Sequence, residues 1–415
     1  MIIVSRKYQK GRKNMKKDNR SLIFGSALVT IFCCGAISVF SVFVKTLQEA
    51  TGGTASQVLL TLTINQICMA GFGIISGKIV DKVGPKLVMM IGGAIFGAGW
   101  TMTAFVSSIP MLYLVTGVIV GIGNGLIYNP TLNTALKWFP EKKGTISGVL
   151  LCVTSAGSFT LAKVGAILCN NIGQKGFMVF GLFFLVAAVL AASFMKAPDP
   201  NWAPVGYNPV TTTSSTVKDV TSGEMLKTSI FWIMFILFIF ASTAGIMMVG
   251  SLSTIAQTQL SITALEASNL VAINALANLV GRLAIGKLSD KIGAAKTLAM
   301  ILILTALSLM GLKMAGSSYA IFTLFLIILS ASFGGVLVVF PPLTASKFGM
   351  KYQGMNYGIM FFAYAIGSLV GPQIAANFVH PELGTAAYAN VYVVAAIVAL
   401  LGLCCTVLLM KKSKD

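Results

Sequence analysis

Stretches of roughly 20 apolar residues, the length an α-helix needs to cross a ~30 Å hydrocarbon layer, recur from one end of this 415-residue chain to the other. That recurrence leaves few folds open. Inside lipid every backbone N–H and C=O must find a partner within the protein, which only helices and closed barrels achieve. A barrel would show segments of about ten residues with alternating polarity; here the runs are long and continuous, so helices are predicted. They fall near residues 22–46, 57–80, 87–107, 111–136, 144–170, 176–195, 229–256, 265–286, 296–316, 319–345, 354–378 and 386–410. Only 10% of residues are charged, against about 25% in soluble domains. The chain therefore reads as an all-α integral membrane protein of twelve transmembrane helices. A polar segment divides them six and six: a basic tail over 1–21, a bundle over 22–195, a linker over 196–228, a second bundle over 229–410 and a short tail over 411–415.

Charge predicts the orientation. The formal net charge is +19, and 25 of the 30 Lys and Arg residues fall in the N-terminal tail, alternate loops, the linker and the C-terminus. The positive-inside rule places that side, and with it both termini, in the cytoplasm of a multi-pass protein of the cell membrane. The basic tail, Arg6 to Arg20, is read as a topology signal that touches anionic lipid, not as a nucleic-acid arm. No short n-region or small-residue cleavage site marks a signal peptide, so the first span is read as a retained helix. All seven cysteines fall in predicted spans, and none has metal-ligand spacing to His380, the single histidine. They read as small apolar residues. No metal or cofactor is expected, and a monomer is.

The chain also repeats itself. Gly77-Lys-Ile-Val-Asp81-Lys-Val-Gly84 returns as Gly286-Lys-Leu-Ser-Asp290-Lys-Ile-Gly293, 209 residues later, and Lys137–Gly144 is echoed by Lys347–Gly354 at 210. Two echoes at nearly one offset indicate two six-helix halves in parallel repeat. The segment Gly77–Lys86 and its second copy resemble the signature loop of the major facilitator superfamily. Lys137-Trp-Phe-Pro140, Ser222–Trp232 and Asn356-Tyr-Gly358 are similar, more narrowly, to the oxalate–formate antiporter family, which is related to the monocarboxylate transporters. The resemblance runs over nearly the whole chain and implies a major facilitator fold. Asp81 and Asp290, with Lys82, Lys291, Gly77 and Gly286, are assigned to gating: carboxylates at helix ends that latch the halves together. A purely solvated loop is the alternative.

One charge stands apart. Arg282 lies in Leu270–Gly286, an otherwise apolar stretch. A guanidinium at membrane depth costs about 2.5–3.5 kcal/mol on insertion scales and marks a pathway or a binding site. It stays protonated and offers a planar fork that fits a carboxylate. Asn274 and Asn278 precede it at four-residue spacing and are expected on its helix face. Snorkelling toward Lys287 is the competing reading, disfavoured because the polar stripe continues inward. In the resembling families an arginine of this helix binds the substrate carboxylate, and Arg282 matches it in register. The oxalate carrier places a second cation, a lysine, in its eleventh span; the same distance from Asn356-Tyr-Gly358 lands here on Tyr364. One secure cation fits a monocarboxylate better than oxalate. Tyr128 matches a fourth-span tyrosine of the resembling carriers, with a packed core tyrosine as the alternative. Gln66 is a buried amide placed either to bind substrate or to bond between helices. Lys45 falls where mammalian monocarboxylate carriers have a lysine, and function and snorkelling both stand for it; for Lys163 snorkelling is favoured.

None of the eleven acidic residues lies at the centre of a span, so no membrane Asp or Glu stands out as a proton relay; Glu49 and Glu266 sit nearest, at the outer mouth. The chain lacks the cluster a membrane-embedded enzyme needs and the buried acid a cation exporter uses. The expected function is alternating-access transport of a small carboxylate (lactate, pyruvate, formate or acetate class), proton-linked. An oxalate–formate type exchanger and a non-transporting nutrient sensor are the alternatives.

Overall fold

The computed structural model describes residues 20–199, 202, 204, 219–249 and 251–412. The basic tail before Arg20, most of the linker and the last three residues lie outside that set. Among the described residues ten segments are long and apolar enough to cross a membrane; one of them, Lys143–Ser193, contains two helices. Pro85–Thr103 completes the twelve expected from the sequence. In chain order α1 runs from Arg20–Cys34 through a tightened 3₁₀ stretch, Gly35–Phe43, to Val44–Thr51. It is followed by α2 (Ala55–Val83), α3 (Pro85–Thr103), α4 (Ile109–Leu112 continuing to Val120–Trp138), α5 (Lys143–Ile172) and α6 (Gly176–Ser193). The second half holds α7 (Ser229–Val249, extended by Leu252–Leu260), α8 (Ala264–Ile292), α9 (Ala294–Met314), α10 (Tyr319–Phe348), α11 (Gln353–Asn377) and α12 (Ala389–Lys412).

The duplication is sharper in three dimensions than in sequence. Helices α2 and α8 are both 29 residues long and both open with a capping box, Thr54 with Gln57 and Thr263 with Glu266. Each side-chain oxygen satisfies an N–H that the first helical turn leaves without a partner. Both helices stop at a glycine of positive φ, Gly84 at 82° and Gly293 at 87°, a conformation that disfavours a Cβ. One expectation is corrected here. The repeated segment from Gly77 to Val83 is not a loop: it forms the last two turns of α2, as its copy does in α8, and only the terminal glycine turns. Each helix continues because Gly77 or Gly286 packs it against the facing half, while the lysines of both copies stay exposed.

Packing inside each half rests on shape. Trp100 of α3 sits fully buried among Phe43, Phe177, Phe180 and Phe184 of α1 and α6, with ring centroids 5.9–6.5 Å away. In the second half Phe238 of α7 stacks on Phe340 of α10 at 3.7 Å. Lipid supplies no hydrophobic drive for helix association, so close approach through small residues carries much of the contact.

The halves meet at one end. We call it the basic end, because the lysine-rich connections lie there. There α2 crosses α11 and α5 crosses α8, and glycines line both crossings. A Cβ on Gly77 would strike the backbone of Gly354; one on Gly144 would lie 2.5 Å from the Gly286 carbonyl, and one on Gly148 2.5 Å from that of Arg282. A continuous buried core joins the two halves at this end, whereas the second buried cluster, toward the opposite end, belongs to the second half alone. The molecule is closed at the basic end.

The glycines separate into two classes with testable consequences. Gly281 presses on the backbone of Ala331 between α8 and α10, while a Cβ on Gly71 of α2 would meet nothing within 4 Å. Gly281→Leu should lower stability by about 1–3 kcal/mol through overpacking, and Gly71→Ala should be neutral or slightly stabilising. Thermal unfolding of the two purified variants in detergent checks both, and equal midpoints would contradict the packing argument.

Candidate functional site

Arg282 sits mid-way along α8, pressed against α5. The missing side chains of Gly148 and Gly286 bring the two backbones together there, and the guanidinium reaches across the seam: its Nη1 donates to the Leu151 carbonyl of α5. Its Nε is buried and has no hydrogen-bond partner among the described residues. A charged donor left without an acceptor in low dielectric costs more than the ~1–3 kcal/mol of a neutral one. The electrostatic neighbours of Arg282 are the hydroxyls of Tyr128 and Tyr364 and the thiol of Cys152; no carboxylate is among them. An aromatic wall completes the surroundings. Tyr128 of α4 meets Phe361 of α11 at 5.9 Å, Phe361 stacks on Tyr364 at 5.4 Å, and Tyr364 lies 5.9 Å from Phe238 of α7. The arrangement is a buried cation edge framed by two phenols, suited chemically to a small anion with an apolar portion.

The structure thus brings Arg282, Tyr128 and Tyr364 together from α8, α4 and α11. It does not bring the asparagines to them. The Asn274 Oδ1 accepts from Ser330 Oγ at 2.6 Å, and Asn278 Nδ2 donates to the Ser330 carbonyl at 3.3 Å. Both amides therefore stitch α8 to α10. The reason is geometric: each four-residue step on a helix of 3.6 residues per turn overshoots by about 40°, so Asn274 and Arg282 point roughly 80° apart. Gln66 is half-buried on α2, in the part of the helix far from the basic end. Lys45, near the far end of α1, is exposed. Lys163 is also exposed, its Nζ 4.4 Å above the Phe159 ring. Among the described residues no hydrogen bond joins any of these three to Arg282, whose own bond goes to Leu151.

The assigned gating residues divide unequally. Asp290, at the end of α8, accepts from the backbone N–H of Gly144 at 2.7 Å, from that of Thr145 at 2.7 Å and from the Thr145 hydroxyl at 2.6 Å. A carboxylate there binds the unpaired donors and the positive end of α5 in the opposite half. Asp81, its repeat partner, instead faces Lys137 of its own half at 3.9 Å. Gly77 and Gly286 make the close crossings described above, and Lys82 and Lys291 are exposed. Sequence reading missed the linker's part in this end. Asp219 accepts from the Met350 and Lys351 N–H groups at 3.0 and 3.1 Å, and Ser222 donates to Asn356 Oδ1 at 2.7 Å. Two signature segments read separately in sequence, Ser222–Trp232 and Asn356–Gly358, are thus bonded to each other.

That inequality predicts an unequal response. Asp290→Asn removes a charge-assisted cap and should cost about 1.5–3 kcal/mol. Asp81→Asn loosens one long, partly exposed pair and should cost less than about 1 kcal/mol. Thermal unfolding of both variants tests the order, and a larger loss at Asp81 would refute it.

Comparison with known proteins agrees with this architecture. The family model described as Major Facilitator Superfamily matches residues 26–372 and 237–415. The chain is 30% identical over 353 residues to the uncharacterized MFS-type transporter YhjX of Escherichia coli K12, covering 84% of this chain and 86% of that one. It is 30% identical over 359 residues to the oxalate:formate antiporter of Oxalobacter formigenes, covering 85% and 84%. Human monocarboxylate transporter 2 matches at 30% over 182 residues, 43% of this chain and 38% of that protein. Among solved structures, the outward-facing bacterial homologue of the iron transporter ferroportin superposes with a TM-score of 0.72 at 14% identity, covering 95% of this chain and all of the other. The human organic anion transporter MFSD10 gives 0.68 at 15%, covering 94% and 100%. Twelve helices in two repeated halves, closed across glycine seams at one end, together with these matches, make the chain a member of the major facilitator superfamily and a secondary transporter rather than an enzyme.

Proposed function

We propose that this transporter carries a small organic monocarboxylate of the lactate, pyruvate, formate or acetate class, with Arg282 as its counter-charge. The observation that carries the reading is the unpartnered, buried Nε of Arg282. A carboxylate oxygen is the natural acceptor for it, and side-on binding adds a second charge-assisted bond. Tyr128 and Tyr364 stand within electrostatic range to donate to the second oxygen, while Phe361 receives the apolar end. With a tyrosine where the resembling oxalate carrier has a lysine, a single positive charge faces the ligand, which favours one negative charge over two. The basic end is taken as cytoplasmic by the positive-inside rule, so the closed state described above presents the site outward.

Coupling follows from charge. Moving a monoanion inward against an inside-negative potential costs about 2.3 kcal/mol per 100 mV, and co-transport of a proton cancels that cost. We infer proton-linked uptake. Exchange of one carboxylate for another cancels it equally, and the similarity to a protein named an oxalate:formate antiporter supports that second reading.

Proteoliposome uptake distinguishes them. Under the proposal an outside-acid pH gradient accelerates entry of lactate or formate into vesicles without internal anion. Stimulation only by internal carboxylate, with no response to the gradient, establishes exchange. Arg282→Ala should lower kcat/KM by about 30-fold or more, the loss that follows when one partner of a buried charge pair is truncated. Thermal-shift measurements with formate, acetate, lactate, pyruvate and oxalate check the valence, and a preference for oxalate would overturn it.

A further inference from the structure

The two glycine seams are related by the repeat, and the relation exposes one residue that neither the sequence motifs nor the candidate site accounts for. At the 209-residue offset Gly77 corresponds to Gly286 and Gly73 to Arg282. One seam therefore carries an arginine where the other carries a glycine. The place that Gly73 leaves open is filled from α4. Asn129 Nδ2 donates to the Gly73 carbonyl at 2.7 Å within its own half, and to the Gly354 carbonyl of α11 at 2.9 Å across the seam. Its Oδ1 accepts from Asn133 at 2.6 Å. The amide is 5% exposed and its donors and acceptor are all engaged. Gly358 makes room for it: a Cβ there would lie 3.0 Å from Asn129 Nδ2.

Three features set this contact apart from ordinary interhelical bonding. Among the described residues, side-chain hydrogen bonds between the halves come from Asn129, Arg282 and the Asp290 cluster, and Asn129 is the one that ties α2, α4 and α11 at once. It follows Tyr128 directly, so a displacement of α4 at the aromatic wall displaces the amide as well. Pro130 comes next inside the helix and deprives the Leu126 carbonyl of its backbone donor, which weakens α4 at that level. We propose that Asn129 is a gating residue: its amide bolts the α2–α4–α11 seam shut, in the place opposite Arg282 in the repeat, and release of the Gly354 carbonyl is required for the basic end to open. The proposal rests on the alternating access of the superfamily and is independent of which anion is carried.

Breaking one buried hydrogen bond shifts a two-state equilibrium by about three- to tenfold. The test uses the full-length protein with its native cysteines replaced, reconstituted in nanodiscs without substrate. Spin labels at Lys86→Cys and Lys351→Cys, exposed positions on opposite halves of the basic end, report the inter-half distance by double electron–electron resonance. Asn129→Ala should raise the separated population by that factor over the parent. The control Asn65→Ala removes a buried bond to Thr116 inside one half (2.9 Å) and should leave the distribution unchanged. Should Asn129→Ala fail to insert, Asn133→Ala frees the Asn129 Oδ1 and should shift the distribution in the same direction by a smaller factor. An unchanged distribution in the variant that inserts, or an equal shift in the Asn65 control, overturns the proposal.

Discussion

Backbone-to-backbone contact across the two glycine seams is the constraint on which the closed form depends. Side chains would hold α5 and α8, or α2 and α11, some ångströms farther apart, and none of the polar ties between the halves would then span the gap. Asp290 reaches the first N–H groups of α5 because Gly144 and Gly286 let the helices touch. Asn129 reaches Gly354 because Gly354 and Gly358 leave space, and Arg282 reaches Leu151 because Gly148 does. In a membrane, where burying apolar surface between helices gains nothing over lipid, such close van der Waals contact with a few polar bonds is the available adhesive. It is also weak enough to be undone, as a transporter requires.

Arg282 illustrates how one group serves two demands. A cation at this depth needs compensation, and a carbonyl from the opposite half supplies part of it through Nη1. The Nε edge is left buried and unpaired among the described residues, a standing electrostatic deficit that, in the function proposed above, an incoming anion removes. Because the compensating carbonyl lies on α5 while the arginine lies on α8, the proposed site and the contact between halves share one side chain. The repeat has been broken to achieve this, since the other seam holds a glycine at the same position.

Much of this was legible in the residues alone. Run length and low charge gave twelve spans, the 209-residue echo gave two halves, and a guanidinium within the apolar stretch Leu270–Gly286 pointed to Arg282. The resemblance supplied Tyr128 and the contrast at Tyr364, and both stand near Arg282. The asparagines show where sequence reasoning reaches its limit. Spacing of four places Asn274, Asn278 and Arg282 on one broad face, yet their accumulated 80° of rotation sends the amides to Ser330 and the arginine to Leu151. Asn129 carried a faint signal, an amide between a tyrosine and a helix proline amid glycines, but nothing local reveals that its partner lies on α11. Asp219 carried none.

The sequence by itself determined the element list, the duplication and the presence of a cation in the membrane, because each depends on residue type and spacing along one helix, where hydrophobic length and helical period act locally. Tertiary structure decided which neighbour each polar group faces, why Asp290 caps a helix while Asp81 does not, and how two separate signature segments come to bond. Those outcomes depend on the rotation and closest approach of helices hundreds of residues apart. They are set by where glycines of one half meet glycines of the other, a coincidence in space that no single stretch of chain encodes.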